Sequence, residues 1–207
     1  MYKLECFISG RISTNSYLLI ENGDAVMIDA PPEPVDIIEY IKKNKINLQA
    51  ILLTHCHFDH FLGMFDIWDE IDNNIALYFS PLDEFLIKDA YLNGGQMFNK
   101  RASYEGHYNP VSEGVLQINR FQFKVYNTPG HTPGGVCFLS GSDLFSGDAL
   151  FAGTVGRSDW GYSDGNALVE SIKNKLLPLP DATNVLPGHG YFSTIGEEKA
   201  NNPFLKQ

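Results

Sequence analysis

The stretch "LLTHCHFDHFLG", residues 52–63, places three histidines and one aspartate in six consecutive positions, directly after a run of apolar residues. The run itself, "LQAILLT", has the nearly continuous apolar character of a short strand that is buried on both faces. Asp59 and His60 are expected to begin the helix that follows. Neutral imidazole and carboxylate are the usual protein ligands of zinc and similar divalent ions. The spacing therefore predicts metal binding where this strand ends.

Three later segments carry the same types of ligand, and each follows a predicted strand. They are "NTPGHTPGG", "LFSGDALF" and "VLPGHG", which present His131, Asp148 and His189. Because all four loops follow apolar strands, they can lie along one edge of the sheets. Five of the six histidines fall in these segments, and only His107 lies elsewhere. This order predicts a metal centre rather than a set of unrelated polar turns.

The number of ligands predicts two neighbouring ions rather than one. Four ligand groups within six residues do not easily reach a single tetrahedral ion, so they are expected to divide as His55 with His57 and Asp59 with His60. The predicted cofactor is thus a pair of divalent metal ions. Zinc is the first choice, and the same ligands would accept iron or manganese.

Length and composition set the limits of the prediction. The 207 residues suit a single domain over residues 1–207, and 43% hydrophobic residues are enough for a core. A formal net charge of −10 argues against nucleic acid and against anionic membranes as partners. The start "MYKLECFISG" lacks the features of a signal peptide, and no apolar run reaches the ~20 residues of a membrane span. The expected location is cytoplasmic.

The pattern of apolar residues alternates strands and helices along the chain. Three strands are predicted at the start, with a hairpin turn at residues 22–24. A helix–strand section follows, with helices over residues 35–45 and 62–71. Strands group again from residue 115, before helices over 167–177 and around "TIGEEKANN". Two groups of strands with helices outside predict a mixed α/β (α+β) fold with two sheets.

Residues 93–114 lose this periodicity and are predicted to be a lid inserted over the metal groove. A stretch of this length without a pattern is unusual in a compact domain and is often functional. Its basic and aromatic side chains are candidate substrate contacts, namely Lys100, Arg101, Tyr104, His107 and Tyr108. A solvated surface loop is the alternative interpretation.

Cysteine and aspartate side chains near the motif leave other roles open. The three cysteines are far apart and include no C-x-x-C pair, so free thiols in a reducing compartment are expected. Cys56 lies between two ligands, but alternation aims it away from them and predicts a buried, inert thiol. Cys6 and Cys137 are expected in the core. Asp29 either supports a ligand or is merely an acid at a strand end.

The segments T-H-C-H-F-D-H, P-G-H-T-P-G, S-G-D and L-P-G-H-G resemble the metal motifs of the metallo-β-lactamase superfamily. "SGDALFAGTVGRSDW" and "TIGEEKANNPFL" resemble its small glyoxalase II-like hydrolases. The resemblance implies a four-layer αββα sandwich with the metals in a groove at one edge. It also implies the ligand sets: His55, His57 and His131 for one ion, Asp59, His60 and His189 for the other, and Asp148 between them.

The same resemblance implies hydrolysis of a thioester, such as S-lactoylglutathione or a related small acyl thiol, by a hydroxide that bridges the metals. Asp59 and Asp148 are then the catalytic carboxylates, with Asp59 as the candidate to orient the hydroxide. An aspartate at position 148 speaks against zinc β-lactamases that have cysteine there. Only 18 residues follow His189, so we expect no helical carboxy-terminal domain of the kind that contacts glutathione in glyoxalase II.

Other functions compete with this one. A persulfide dioxygenase of the same fold would use one iron bound by two histidines and an aspartate, although "FAGTVGRSD" looks more like the hydrolase version of this loop. A metal-binding protein without turnover is disfavoured because no ligand position is lost. A nuclease is disfavoured by the charge of −10. The sequence leaves the acyl group, the thiol and the oligomeric state open.

Overall fold

The computed structural model describes residues 2–98 and 102–206 of the chain. Contacts between Cα atoms divide the chain into two compact units. Unit 1 extends to Phe79 and resumes over Glu84–Pro110, whereas unit 2 comprises Ser80–Asp83 and the chain from Val111 onward. Among the residues that the structure describes, no helix combines the length and apolar character needed to span a bilayer.

Unit 1 contains a sheet that is six-stranded within the described residues, in the order β1-β2-β3-β4-β5-β6. Its strands are β1 (Lys3–Ser9), β2 (Thr14–Glu21), β3 (Asp24–Ile28), β4 (Asn47–Leu52), β5 (Ala76–Phe79) and β6 (Asn109–Pro110). The first three are antiparallel, and the predicted hairpin is confirmed at Asn22 and Gly23, whose φ angles of 54° and 86° suit a two-residue turn. From β3 to β6 the neighbours are parallel.

Helices connect the parallel strands of unit 1. They are α1 (Val35–Asn44), α2 (Phe58–Phe61), α3 (Gly63–Glu70) and α4 (Glu84–Lys88). The helix α1 buries Ile37, Ile38 and Ile41 and ends at Lys45, which adopts a left-handed conformation. The predicted helix over residues 62–71 is confirmed as α3. The histidine-rich stretch follows the carboxyl end of β4, as the sequence indicated. This strand is largely buried and lies between two parallel neighbours, β3 and β5.

Unit 2 contains a second sheet and a two-stranded ribbon. Its strands are β7 (Gly114–Ile118), β8 (Phe121–Asn127), β9 (Val136–Ser140), β10 (Asp143–Gly147), β11 (Leu150–Phe151), β12 (Thr154–Val155), β13 (Asn184–Pro187) and β14 (Ser193–Thr194). The order in the sheet is β14-β13-β10-β9-β8-β7, and β11 pairs with β12. The strands β10 and β13 are parallel, so the loops that carry Asp148 and His189 leave the sheet side by side.

Helices also close unit 2. The helix α5 (Gly165–Ser171) begins at Asp164, whose side chain accepts hydrogen bonds from two backbone amides, and it continues into a π-helical turn over Ile172–Leu176. The helix α6 (Ile195–Asn201) begins with a capping box between Thr194 and Glu197. Apolar residues from the strands and both helices form one core cluster in this unit.

Candidate metal centre

Unit 1 buries four predicted ligands together at the end of β4. The chain passes from β4 to α2 through residues 53–57, and His57 is the extended residue that precedes α2. His55, His57, Asp59 and His60 are all at most 6% exposed. Burying so many polar groups is costly unless they are hydrogen-bonded or bind a cation. The structure therefore brings together the first four residues that the sequence predicted.

The spacing of these side chains suits ions of the expected size. The Nε2 atom of His55 lies 3.1 Å from Nδ1 of His57, and Nε2 of His60 lies 3.2 Å from Oδ2 of Asp59. Two ligand atoms of one tetrahedral zinc ion, each at ~2.0–2.1 Å from it, lie roughly 3.3 Å apart. The His55 and His60 rings are also close, with centroids 4.0 Å apart. The donor set and its spacing fit divalent metal ions.

Asp29 supports a ligand, which decides between the two roles that the sequence left open. Its Oδ2 atom lies 2.8 Å from Nδ1 of His60, and its carboxylate also accepts hydrogen bonds from the backbone amide and the hydroxyl of Thr54. An imidazole that donates through Nδ1 presents the lone pair of Nε2 to a metal. Asp29 has a φ of 58°, an uncommon conformation for a residue other than glycine that is often found at functional sites.

Thr14 is a site residue that the sequence analysis missed. Its hydroxyl donates a hydrogen bond of 2.9 Å to Oδ2 of Asp59, across 45 positions of the chain. Thr14 is fully buried and is the first residue of β2. Only the folded structure shows that the start of this strand lies beside Asp59. A threonine at a strand start carries no signal of its own in the sequence.

Unit 2 brings together the other three predicted ligands. The Oδ2 atom of Asp148 lies 3.5 Å from Nε2 of His131 and 3.7 Å from Nε2 of His189. These distances are longer than a hydrogen bond and close to the separation of two ligands on one ion. Asp148 and His189 follow the adjacent parallel strands β10 and β13, which explains why they meet. Unit 2 thus has the chemistry and spacing of a second group of metal ligands.

Residues 157–164 hold one side of the loop that carries His131. The backbone oxygen of Arg157 lies 2.8 Å from Nδ1 of His131, and the hydroxyl of Ser163 donates to the backbone oxygen of His131. Gly156 packs closely against the backbone of Asp148. A Cβ atom added at this position would overlap the backbone oxygen of Asp148. The segment "GTVGRSDW", residues 153–160, therefore contributes through its main chain, a role that the residue types of the sequence do not reveal.

The three cysteines, all within the described residues, are not joined by disulfides, as predicted, and two of them are buried. Cys56 is fully buried, which confirms the predicted burial. Burial raises the pKa of Cys137 to about 12, so this thiol is not a nucleophile at neutral pH. The expectation that Cys6 lies in the core is wrong: it is exposed on β1, which is an edge strand of its sheet.

The predicted lid, residues 93–114, begins in contact with residues 52–63, the metal-binding stretch. The backbone oxygen of Asn93 accepts a hydrogen bond of 3.0 Å from the amide of Phe58, and the buried side chain of Asn93 donates to the backbone oxygens of Leu86 and Ala102. Lys100 and Arg101 lie outside the described residues. The start of the segment is therefore part of the packed structure rather than a loop surrounded by solvent.

Three other candidate substrate contacts lie further along this segment. Tyr104 and His107 line a cleft of about 970 Å³ together with Phe65 and Trp68. The described lining of this cleft includes none of the seven predicted ligands. Tyr108 stacks on Phe79, with ring centroids 3.9 Å apart. A contact between these side chains and substrate stays a prediction.

Comparison with known proteins places these features in a family. The family model described as "Metallo-beta-lactamase superfamily" matches residues 9–189, a range that contains all seven predicted ligands. "Probable metallo-hydrolase YqgX" of Bacillus subtilis is 36% identical over 200 residues, covering 95% of this chain and 94% of that protein. "Hydroxyacylglutathione hydrolase GloC" of Haemophilus influenzae is 34% identical over 196 residues, covering 89% of each.

Solved structures agree with the sequence comparisons. The crystal structure of BLEG-1 B3 metallo-beta-lactamase matches with a TM-score of 0.92 and 35% identity, covering 99% of this chain and all of that one. TTHA1623 in a di-iron-bound form matches with a TM-score of 0.87 and 36% identity, covering 97% of this chain and all of that one. The predicted fold class and the predicted family are confirmed. The chain, with its His and Asp metal-binding residues, belongs to the metallo-beta-lactamase superfamily.

Proposed function

We propose that this protein is a metal-dependent hydrolase that cleaves a thioester, such as S-lactoylglutathione or a related small acyl thiol. The observation that carries the proposal is the buried group of three imidazoles and one carboxylate at the end of β4, oriented by Asp29 and Thr14. The name of the relative GloC supports the thioester as substrate class.

We further propose that seven residues hold two divalent ions. One ion would take His55, His57 and His131, the other Asp59, His60 and His189, with Asp148 shared between them. Support comes from the donor chemistry and from the spacing within each unit. When bound, such a pair of cations makes water a nucleophile at neutral pH and polarises a carbonyl oxygen. Zinc remains our first choice, and the di-iron form of TTHA1623 supports iron as an alternative.

The chain's own residues have definable tasks in this proposal. Asp29 accepts from Nδ1 of His60 and so keeps Nε2 as the ligand atom. Thr14 holds the carboxylate of Asp59 through Oδ2, which fixes the group that would orient the attacking water. Both supports are buried, so they keep their positions without reorganisation as charge develops. No serine or cysteine nucleophile is required, which agrees with the burial of Cys56.

The substrate side of the proposal rests on the segment that starts at Asn93. Asn93 is hydrogen-bonded to Phe58, which directly follows the ligand His57, so the segment begins in contact with the metal-binding stretch. Lys100 and Arg101 would then contact a carboxylate on the acyl thiol. We also propose a small molecule rather than nucleic acid or a membrane as partner, because of the net charge of −10. We also propose a reducing, cytoplasmic location, because the three cysteines are far apart in the sequence and include no C-x-x-C pair.

Two alternative reactions, β-lactam hydrolysis and persulfide dioxygenation, need to be measured alongside thioester hydrolysis. β-Lactam hydrolysis is supported by the likeness to BLEG-1, which is described as a B3 metallo-beta-lactamase. A persulfide dioxygenase with a single iron is the alternative that the motif pattern leaves open. Oxygen uptake with glutathione persulfide, measured on iron-loaded protein, distinguishes this reaction from hydrolysis.

The proposal is tested by elemental analysis of the purified protein together with a substrate panel. The panel contains S-lactoylglutathione, the same acyl group on a second small thiol, and a β-lactam. We expect two ions per chain and preferential cleavage of a thioester. The variant Asp148→Ala should lose at least one ion and most of the turnover. A variant that keeps both ions and full activity would contradict the assignment of Asp148.

A further inference from the structure

Asp83 is a buried carboxylate that binds the loop of His131, one of the predicted ligands. It ends a short 3-10 turn, Pro81–Asp83, and is fully buried. Its Oδ2 atom accepts a hydrogen bond of 2.8 Å from the hydroxyl of Thr132, and its Oδ1 atom accepts one of 2.6 Å from the amide of Gly134. Both donors follow His131 within three positions.

The contact between Asp83 and this loop is so close that it restricts the residue type at position 134. A Cβ atom added at Gly134 would lie 2.7 Å from the carboxyl carbon of Asp83, so only glycine allows this approach. A carboxylate buried in this way is stable only when donors surround it. The negative charge of Asp83 also contributes, after burial, to raising the pKa of Tyr162 to about 12. Tyr162 lies in the segment that holds the other side of the His131 loop.

The His131 loop is thus held from two sides. Asp83 binds Thr132 and Gly134, while residues 157–164 bind the loop through the backbone oxygen of Arg157, the hydroxyl of Ser163 and the amide of Asp164. The Nε2 atom of His131 lies 3.5 Å from Oδ2 of Asp148. Because metal–ligand distances tolerate errors of only about 0.2 Å, a small movement of this loop would weaken metal binding.

We infer that Asp83 is a positioning residue, which fixes the loop at residues 130–135 so that His131 reaches its metal ion. The inference rests on the proposed metal centre. It predicts that loss of the Asp83 carboxylate weakens metal binding even in a protein that remains folded. A merely structural carboxylate would lower stability and leave the affinity for metal unchanged.

Unit 2 offers a matched control for this distinction. Glu198 is also a buried carboxylate, 2% exposed, and it accepts hydrogen bonds from the amide of Gly153 and the side chain of Asn202. These donors lie outside the His131 loop. The variants Asp83→Asn and Glu198→Gln both replace a buried carboxylate by an amide, but only the first changes a contact to residues 132–134.

The experiment measures zinc stoichiometry and zinc affinity by competition with a chelator, together with unfolding temperatures of the metal-free proteins. We expect both variants to unfold at lower temperature than the wild type, and only Asp83→Asn to bind one zinc ion about 10- to 100-fold more weakly. With cobalt in place of zinc, its visible absorption bands should shift in Asp83→Asn alone. Affinity within twofold of wild type in Asp83→Asn, or an equal loss in Glu198→Gln, would overturn the inference.

A second variant keeps the test decisive if Asp83→Asn does not fold. Thr132→Val removes one donor to Asp83 and preserves the volume of the side chain, so it should weaken the same ion by a smaller factor. Unchanged affinity in this variant would also overturn the inference. Wild-type protein that binds two ions but cleaves no thioester would contradict the proposed function and leave the positioning role of Asp83 supported by the metal data.

Discussion

The Nδ1 atom of His60 lies 2.8 Å from the Oδ2 atom of Asp29, and both side chains are buried. The two residues are 31 positions apart in the chain, and Asp29 also binds Thr54 at the start of the metal-binding stretch. One carboxylate therefore orients a ligand and fixes the backbone from which the ligands leave β4. Its effect on the metal centre should exceed that of an ordinary hydrogen bond.

Replacing Asp29 by Asn should weaken binding of the metal ion that His60 holds by about 10- to 100-fold. An amide cannot accept from His60 and Thr54 with the strength of a carboxylate. Chelator competition measures the change. Asp24→Asn is the control, since Asp24 begins β3, the strand that Asp29 follows, and its carboxylate accepts a hydrogen bond from the side chain of Asn47. Equal affinities in wild type and Asp29→Asn would contradict the orienting role.

Replacing Cys56 by Ala should leave kcat/KM within a few-fold of the wild-type value. The thiol is fully buried, and the proposed chemistry uses no cysteine nucleophile. The exposed Cys6→Ala provides the reference for a change of thiol alone. A loss on the order of a thousandfold, as removal of a nucleophile causes, would show that Cys56 takes part in the reaction.

Replacing Lys100 and Arg101 together by Ala should raise KM for an anionic thioester several-fold and leave the metal content unchanged. A neutral thioester should be affected much less, because it has no carboxylate to pair with these cations. The control is Lys43→Ala with Arg120→Ala, which removes the same two charges from exposed positions. If both substrates keep their kinetics in the first variant, residues 93–114 are not a substrate lid.

Replacing Gly156 by Ala should destabilise the protein by about 2 kcal/mol, because the added Cβ atom would overlap the backbone oxygen of Asp148. The site should also lose metal, since Asp148 must move to make room. Gly161→Ala, in the same loop, has open space around the new atom and should stay within about 0.5 kcal/mol of wild type. Denaturant unfolding of the metal-free proteins gives both values.

The sequence predicted the secondary structure well because each element carries a local signal. The apolar run of β4, the spacing of isoleucines in α1 and the turn at Asn22 and Gly23 all depend on residues close together in the chain. The ligand positions were accessible for the same reason. Histidine and aspartate directly after a strand are conspicuous, whatever the rest of the fold does.

The supports of the site could not be predicted in the same way. Thr14, Asp83 and the backbone oxygen of Arg157 act across 45, 49 and 26 positions of the chain. Their residue types are common, and one of them acts through the main chain, so only the strand order and the packing show them. Asp29 was recognised as a candidate, but its role required the distance to His60.

The metal-binding stretch is tied at one end to the sheet and at the other to the segment that follows β3. The amide of Leu53 donates to Tyr78, the amide of Gly63 donates to Ala30, and Ala30 in turn donates to His60. A side chain at Gly63 would overlap the backbone oxygen of Pro31, so α3 cannot shift to absorb a change of length. We therefore expect insertions and deletions within residues 53–63 to disrupt the site, and we expect the turn at residues 72–74, which is exposed, to accept them. A peptide tag or an inserted domain placed at that turn should leave metal loading intact.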